Sequence, residues 1–235
     1  MMRYDALLCD ADDTLFDFAA AEKNAFAEAC AQTGFEATPA MLEQYSDINR
    51  ALWQKLEQGE ITQRVLRVRR FEQFLEAIGR RDSAQEMADR YAEALSRQSI
   101  LLPGALEALR SWSALVPVVI VTNGISRIQH GRMDRSELRP YIRGMVVSEE
   151  VGTAKPDPRM IELGMQAAGV TDRSRVLMLG DSLSSDIAAA AHAHVDACWL
   201  NPEGKPNSRG LPVAYEIRSL GEVEALLKGG RNRDE

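Results

Sequence analysis

Five short apolar runs, at residues 4–9, 116–121, 145–148, 176–179 and 195–200, are each followed by a stretch with helical spacing, and this alternation constrains the fold more than any other feature of the chain. Strands that alternate with helices predict a parallel sheet with helices on both faces, because each parallel crossover carries the chain back over one face. The alternation breaks once. Between residues 19 and 100 no strand signal occurs, and "AAAEKNAFAEACAQTG", "PAMLEQYSDINRALWQKLEQG", "TQRVLRVRRFEQFLEAIG" and "SAQEMADRYAEALSRQ" repeat apolar residues every three or four positions. Several of these stretches open on Ser, Thr or Pro and close on Gly, the signals of helix ends. A helical insert of about eighty residues therefore follows the first strand. Its Trp53, Phe71, Phe74 and Tyr91 stand at helical spacing and read as bundle core rather than ligand contacts. "LLPGALEAL" restarts the alternating pattern, and the polar "KGGRNRDE" at the end reads as a frayed terminus.

A chain of 235 residues exceeds the common domain size, which allows one α/β domain with an insert or two unequal domains. With 45% hydrophobic and 27% charged residues it is an ordinary globular composition. No apolar run approaches the roughly 18 residues of a membrane span and no basic segment precedes a hydrophobic one, so the expected compartment is the cytoplasm, with no membrane partner. A net charge of −7 disfavours a nucleic-acid polymer as partner, since such binding needs a basic face. The three cysteines, Cys9, Cys30 and Cys198, are scattered and have no C-x-x-C spacing, which argues against a disulfide framework or a structural zinc site. They read as buried thiols.

The chemistry concentrates where strands end. "LLCDADDTLFDF" closes the first strand on Asp10, Asp12 and Asp13, with Asp17 shortly after. Carboxylates this close raise one another's pKa unless a cation or hydrogen-bond donors offset them. A bare D-x-D-D can also be a solvated turn, so the rest of the chain has to decide. "VVIVTNG" ends a strand on Thr122, Asn123 and Gly124. "GTAKPDP" delivers Lys155, and "VLMLGDSLSSDI" ends on Gly180 and Asp181 with Asp186 five residues later. Each has a plain alternative: Thr-Asn-Gly as a turn, Lys-Pro as a loop, Gly-Asp-Ser as a helix cap. All of them fall at the carboxyl ends of strands, where open α/β sheets place their ligands.

In this order the four signals resemble the motifs of the haloacid dehalogenase superfamily of aspartate-dependent phosphotransferases, with D-x-D-x-T at Asp10, Asp12 and Thr14, the Thr motif at Thr122, the Lys motif at Lys155 and the acidic motif at Asp181 and Asp186. The resemblance implies a Rossmann-like parallel sheet core at residues 1–17 and 101–235 and a helical cap at 18–100, inserted after the first strand. It implies Asp10 as a nucleophile that forms an aspartyl-phosphate and Asp12 as the general acid and base. It implies Thr122, Asn123 and Lys155 at the phosphate oxygens, and Mg²⁺ held by Asp10, the backbone carbonyl of Asp12 and Asp181, with Asp186 supporting the metal or Lys155. Dehalogenating members lack the second aspartate of D-x-D, so Asp12 argues against dehalogenation here. Receiver domains of two-component signalling share an acidic pair, a Thr and a Lys, but they stand alone at roughly half this length and carry no helical insert. A catalytically silent binding protein on the same fold is the remaining class.

"DADDTLFDF", "LWQKLEQGEIT", "VSEEVGTAKPDP", "DRSRVLMLGDS" and "CWLN" are similar to stretches of the superfamily's pyrimidine 5′-nucleotidases, which implies a small phosphomonoester substrate, a pyrimidine nucleotide. The alternative is a phosphatase of small metabolites such as phosphoglycolate or sugar phosphates. "RIQHGRMDRSEL" and "NPEGKPNSRG" match no such stretch. Trp53, Tyr45 and Phe16 could stack a base or simply pack, and His130, His192 and His194, with no carboxylate or Ser at informative sequence spacing, read as surface or core histidines.

Overall fold

The computed structural model describes residues 2–229. The six strands are β1 (Ala6–Cys9), β2 (Val118–Thr122), β3 (Gly144–Val147), β4 (Val176–Gly180), β5 (Asp196–Leu200) and β6 (Tyr215–Ile217), and they form one sheet in the order β3-β2-β1-β4-β5-β6. Every pairing is parallel. The central strands β1, β2 and β4 are buried throughout, as continuous apolar runs require when both faces of a sheet are covered. The short edge strand β6 gave no apolar run in the sequence, and its Glu216 is exposed.

The four strandless stretches are helices α1 (Phe18–Gln32), α2 (Pro39–Glu57), α3 (Gln63–Ala77) and α4 (Ala84–Leu95). The hydroxyls of Thr38, Thr62 and Ser83 accept the N–H groups of Met41, Val65 and Glu86, so three of the four starts carry an N-cap. After them come α5 (Ala105–Ser113), α6 (Ser126–Asp134), α7 (Ser148–Val151), α8 (Pro158–Ala168), α9 (Ala188–Ala193) and α10 (Val223–Leu227). The described chain divides into two compact units. One holds the sheet, with residues 1–17, 101–126 and 136–235 of the chain assigned to it; the other joins residues 18–100 to 127–135.

In the sheet unit, Ala6 and Leu8, Val119 and Val121, and Val176 and Met178 turn one face toward Met160, Ile161 and Met165 of α8 and toward α9. Gly164 lets α8 lie close: a Cβ there would stand 3.0 Å from the side chains of Leu8 and Val121. Because the chain leaves β1 toward β2 and β3 and then crosses back to β4, the strand order reverses beside β1, the point where such sheets open a crevice at their carboxyl ends.

The helical unit centres on Phe26, Tyr45, Phe71, Phe74 and Tyr91, with Phe26 stacked on Tyr45 at 4.7 Å and Tyr45 on Phe71 at 5.1 Å. Phe71, Phe74 and Tyr91 occupy the core as expected, but Trp53 is only half-buried. Tyr45, Asn49 and Leu52 form the inward line of α2, and Trp53 sits one residue, about 100°, off that line. A polar chain crosses the same interior: Asn49 donates to Glu22 at 2.8 Å and accepts from Arg70 at 3.1 Å. Gly131 of α6 lies against the Ser96 backbone, and Arg132 donates to the Gln98 carbonyl. Phe16, in the sheet unit, is fully buried and pairs through its backbone with Leu101. Residues 230–235, most of the terminus expected to fray, lie outside the described residues. Among the described residues no helix is long and apolar enough to cross a membrane.

Candidate active site

The first acidic residue sits directly past the tip of β1. The Asp10 N–H donates to the Leu179 carbonyl at 2.9 Å, which extends the β1–β4 ladder by one residue and holds the carboxylate at the sheet edge, 8% exposed. The chain then turns sharply. Asp13 adopts φ 57°, a left-handed conformation that Asp tolerates better than most residues, and its N–H bonds to the Phe16 carbonyl.

Lys155 reaches this carboxylate from the loop between α7 and α8. Its ammonium donates to Asp10 Oδ1 at 2.5 Å, to Asp186 Oδ1 at 2.6 Å and to the Val121 carbonyl at 2.6 Å, which engages all three of its hydrogens. The side chain is 2% exposed. A buried ammonium is tolerable only when paired and fully hydrogen-bonded, and here it is both. Burial alone would lower its pKa, but the charges of Asp10 and Asp186 and their hydrogen bonds outweigh that and hold it well above the ordinary lysine value.

The third side of the site comes from the end of β4. Gly180 is followed by Asp181, and Ser182 caps a wide turn over Leu183–Ile187 by accepting the Ser185 N–H. Wide turns of this kind recur at functional sites. Asp186, inside the turn, folds back so that its Oδ2 accepts the Ser182 N–H at 3.0 Å. Only glycine fits at position 180, because a Cβ would stand 2.3 Å from Asp186 Cγ. Asp181 is held on two sides: the Thr14 hydroxyl donates to its Oδ1 at 3.3 Å and the Trp199 indole N–H to its main-chain carbonyl at 2.8 Å.

Asp10, Asp181 and Asp186 bring carboxylate oxygens within 4.8 Å of one another. Burial pushes the Asp10 carboxyl well above the usual carboxylate range, and Asp186 and Asp181 add to the shift while Lys155 opposes it. Burial, then Asp186 and Asp13, pushes Asp181 up to about 7. Three carboxylates facing one ammonium leave excess negative charge, and an oxygen-only donor set of this size suits a hard divalent cation such as Mg²⁺.

Asp10, Lys155, Asp181 and Asp186 thus meet at one end of the sheet, and Asn123 joins them through side-chain hydrogen bonds to the Lys155 main chain. Thr122 lies at the end of β2, 2% exposed, with its hydroxyl oxygen accepting the Gly124 N–H at 3.1 Å. Asp12 is half-buried, and its carboxylate stands outside the three-carboxylate group. Trp199, Ser182 and Ser185 were not singled out as site residues. Ser182 does carry the helix-cap signal of Gly-Asp-Ser, and Trp199 lies in "CWLN", a stretch whose local pattern says strand and nothing of Asp181.

Comparison with known proteins gives the family of the chain and its fold. A family model for haloacid dehalogenase-like hydrolases matches residues 4–194. The chain is 33% identical to the pyrimidine 5′-nucleotidase YjjG of Escherichia coli, over 96% of this chain and 99% of that protein. It is 36% identical to the pyrimidine 5′-nucleotidase PynA of Streptococcus pneumoniae, over 94% of each. A solved structure of the HAD-hydrolase YfnB of Bacillus subtilis, bound to magnesium, superposes with a TM-score of 0.89 at 33% identity, covering 96% of this chain and 99% of that one. The chain is an enzyme of the haloacid dehalogenase-like hydrolase family.

Proposed function

We propose that this enzyme is a Mg²⁺-dependent phosphomonoester hydrolase acting on pyrimidine nucleoside 5′-monophosphates through an aspartyl-phosphate on Asp10. The observation that carries the reaction class is the Lys155 ammonium locked between Asp10 and Asp186, with Asp181 beside them. The substrate class is supported by the two pyrimidine 5′-nucleotidases that match over more than nine-tenths of both partners.

In this reading one Asp10 oxygen attacks phosphorus as the ester P–O bond breaks, and the bond from Lys155 orients the carboxylate for the attack. Asp12 gives a proton to the departing ribose oxygen and takes one back from the water that attacks the acyl-phosphate, so Asp10 and Asp12 return to their starting states as inorganic phosphate leaves. The Thr122 oxygen already accepts the Gly124 N–H, which leaves its hydrogen to donate to a phosphate oxygen. The Asn123 main-chain N–H serves another phosphate oxygen, and Lys155, whose three hydrogens are engaged, adds a fixed positive charge beside the phosphoryl group. Asp10, Asp181, Asp186 and the Asp12 carbonyl would hold Mg²⁺, which supplies positive charge for the phosphoryl group when bound. We assign the choice of base to the helical segment 18–100.

Steady-state rates on UMP, dTMP, AMP, GMP and phosphoglycolate, with Mg²⁺ and with EDTA, test the proposal. UMP and dTMP should exceed the purine nucleotides by about 10- to 100-fold in kcat/KM, the discrimination a shaped pocket can supply. A preference for phosphoglycolate would overturn the substrate class and spare the phosphatase reading. Full activity in metal-free protein would overturn the role given to the carboxylates.

A further inference from the structure

The Asn123 side chain closes on one residue of a distant loop. Its Oδ1 accepts the Lys155 main-chain N–H at 2.7 Å, and its Nδ2 donates to the Lys155 main-chain carbonyl at 2.8 Å. The same Nδ2 reaches Ser185 Oγ at 3.4 Å, in the turn that carries Asp186. Among side chains only the carboxamides offer a donor and an acceptor in this fixed arrangement, so one amide reproduces for Lys155 the two hydrogen bonds that a neighbouring strand would give. Lys155 lies outside the sheet ladders. Its ammonium must nonetheless meet three oxygens at 2.5–2.6 Å, a geometry that a small displacement of the backbone would break in all three directions.

We propose that the Asn123 side chain is a positioning residue that sets the place and rotation of Lys155, and that it acts on the phosphate through Lys155 alone. The proposal rests on the reading of Lys155 as a phosphate-facing lysine, and it separates the side chain of Asn123 from its main-chain N–H, which an alanine substitution keeps.

The test uses inorganic phosphate as the probe, its affinity measured by calorimetry in Mg²⁺ for the wild type, Asn123→Ala, Lys155→Ala and the double variant, so that no turnover is needed. Hydrogen exchange at the Lys155 main-chain amide is followed in parallel. Asn123→Ala should weaken phosphate by about tenfold, and the double variant should bind no more weakly than Lys155→Ala alone. The Lys155 amide should exchange at least about tenfold faster in Asn123→Ala, because its acceptor is gone. Losses that multiply in the double variant would mean that the amide touches phosphate itself and would overturn the proposal, as would unchanged affinity or unchanged exchange in Asn123→Ala. Should Lys155→Ala bind phosphate as the wild type does, the reading of Lys155 fails instead, and the exchange measurement still judges the clamp. Asn123→Leu, similar in shape and without hydrogen-bonding groups, takes the place of the alanine variant if that protein does not fold.

Discussion

Replacing Asp181 with asparagine should make the metal-free protein more stable at pH 8. Burial and the neighbouring Asp186 and Asp13 push this carboxyl from its ordinary 3.8 up to about 7. Between those values the folded protein keeps a proton that the unfolded chain has released, so this group's contribution falls as pH rises from about 4 to about 7 and is flat above that. About three pKa units at about 1.36 kcal/mol each give a ceiling of about 4 kcal/mol lost at pH 8. Asparagine removes the charge, keeps an oxygen for the Thr14 hydroxyl now bonded at 3.3 Å, and sets N–H donors among the remaining carboxylates. In a chain of this length each kcal/mol moves Tm by about 2–4 °C, so the variant should melt about 3–10 °C higher. The assay is calorimetric melting in EDTA at pH 5 and pH 8, repeated with saturating Mg²⁺. The gain should shrink at pH 5, where wild-type Asp181 is protonated in the fold. Mg²⁺ should raise Tm of the wild type and do little for the variant, since a ligand stabilises only the state that binds it. A variant that melts lower than the wild type at pH 8 in EDTA, or equal stabilisation of both by Mg²⁺, would refute the reasoning.

Asp10→Asn should abolish turnover while the protein stays folded, and BeF₃⁻, which should stabilise the wild type against heat by forming an acyl-phosphate mimic, should have no effect on the variant. Asp12→Asn should slow UMP hydrolysis more than p-nitrophenyl phosphate hydrolysis, because a phenolate leaves with less help from a proton; equal losses would remove Asp12 from the acid–base role. Gly180→Ala drives a Cβ against Asp186 and should cost about 1–3 kcal/mol in chemical denaturation, with a fall in activity beyond what the lost folded fraction explains; an unperturbed variant would mean the turn can shift without consequence.

The legible part of the fold came from periodicity. All five strand runs found in the sequence are strands, and the four stretches with three- and four-residue spacing are α1 to α4; α3 and α4 start on the Thr62 and Ser83 that open their stretches, while α2 takes its cap from Thr38, one residue ahead of the Pro39 that opens its stretch. Strand β6 escaped because three edge residues with an exposed Glu216 give no apolar run. Trp53 departs from its expected core position because a 100° turn per residue separates an inward Leu52 from its neighbour, and helical spacing alone does not say which of two adjacent apolar residues points inward. The segment 127–135, which matched no recognised stretch, joins the helical unit.

By itself the sequence determined the order of elements, the residue types at the strand tips and the family resemblance, because hydrophobic periodicity, cap residues and turn residues act over a few positions and leave their mark where they act. The tertiary structure alone decided that Lys155 bonds to a carboxylate 145 residues away, that Asn123 grips the Lys155 backbone, that Trp199 holds the Asp181 carbonyl and that Gly180 makes room for Asp186. Those contacts depend on strand order and register, which put β1 between β2 and β4. Order and register are set by how the apolar faces of the whole chain pack together, and no short stretch of sequence carries that information.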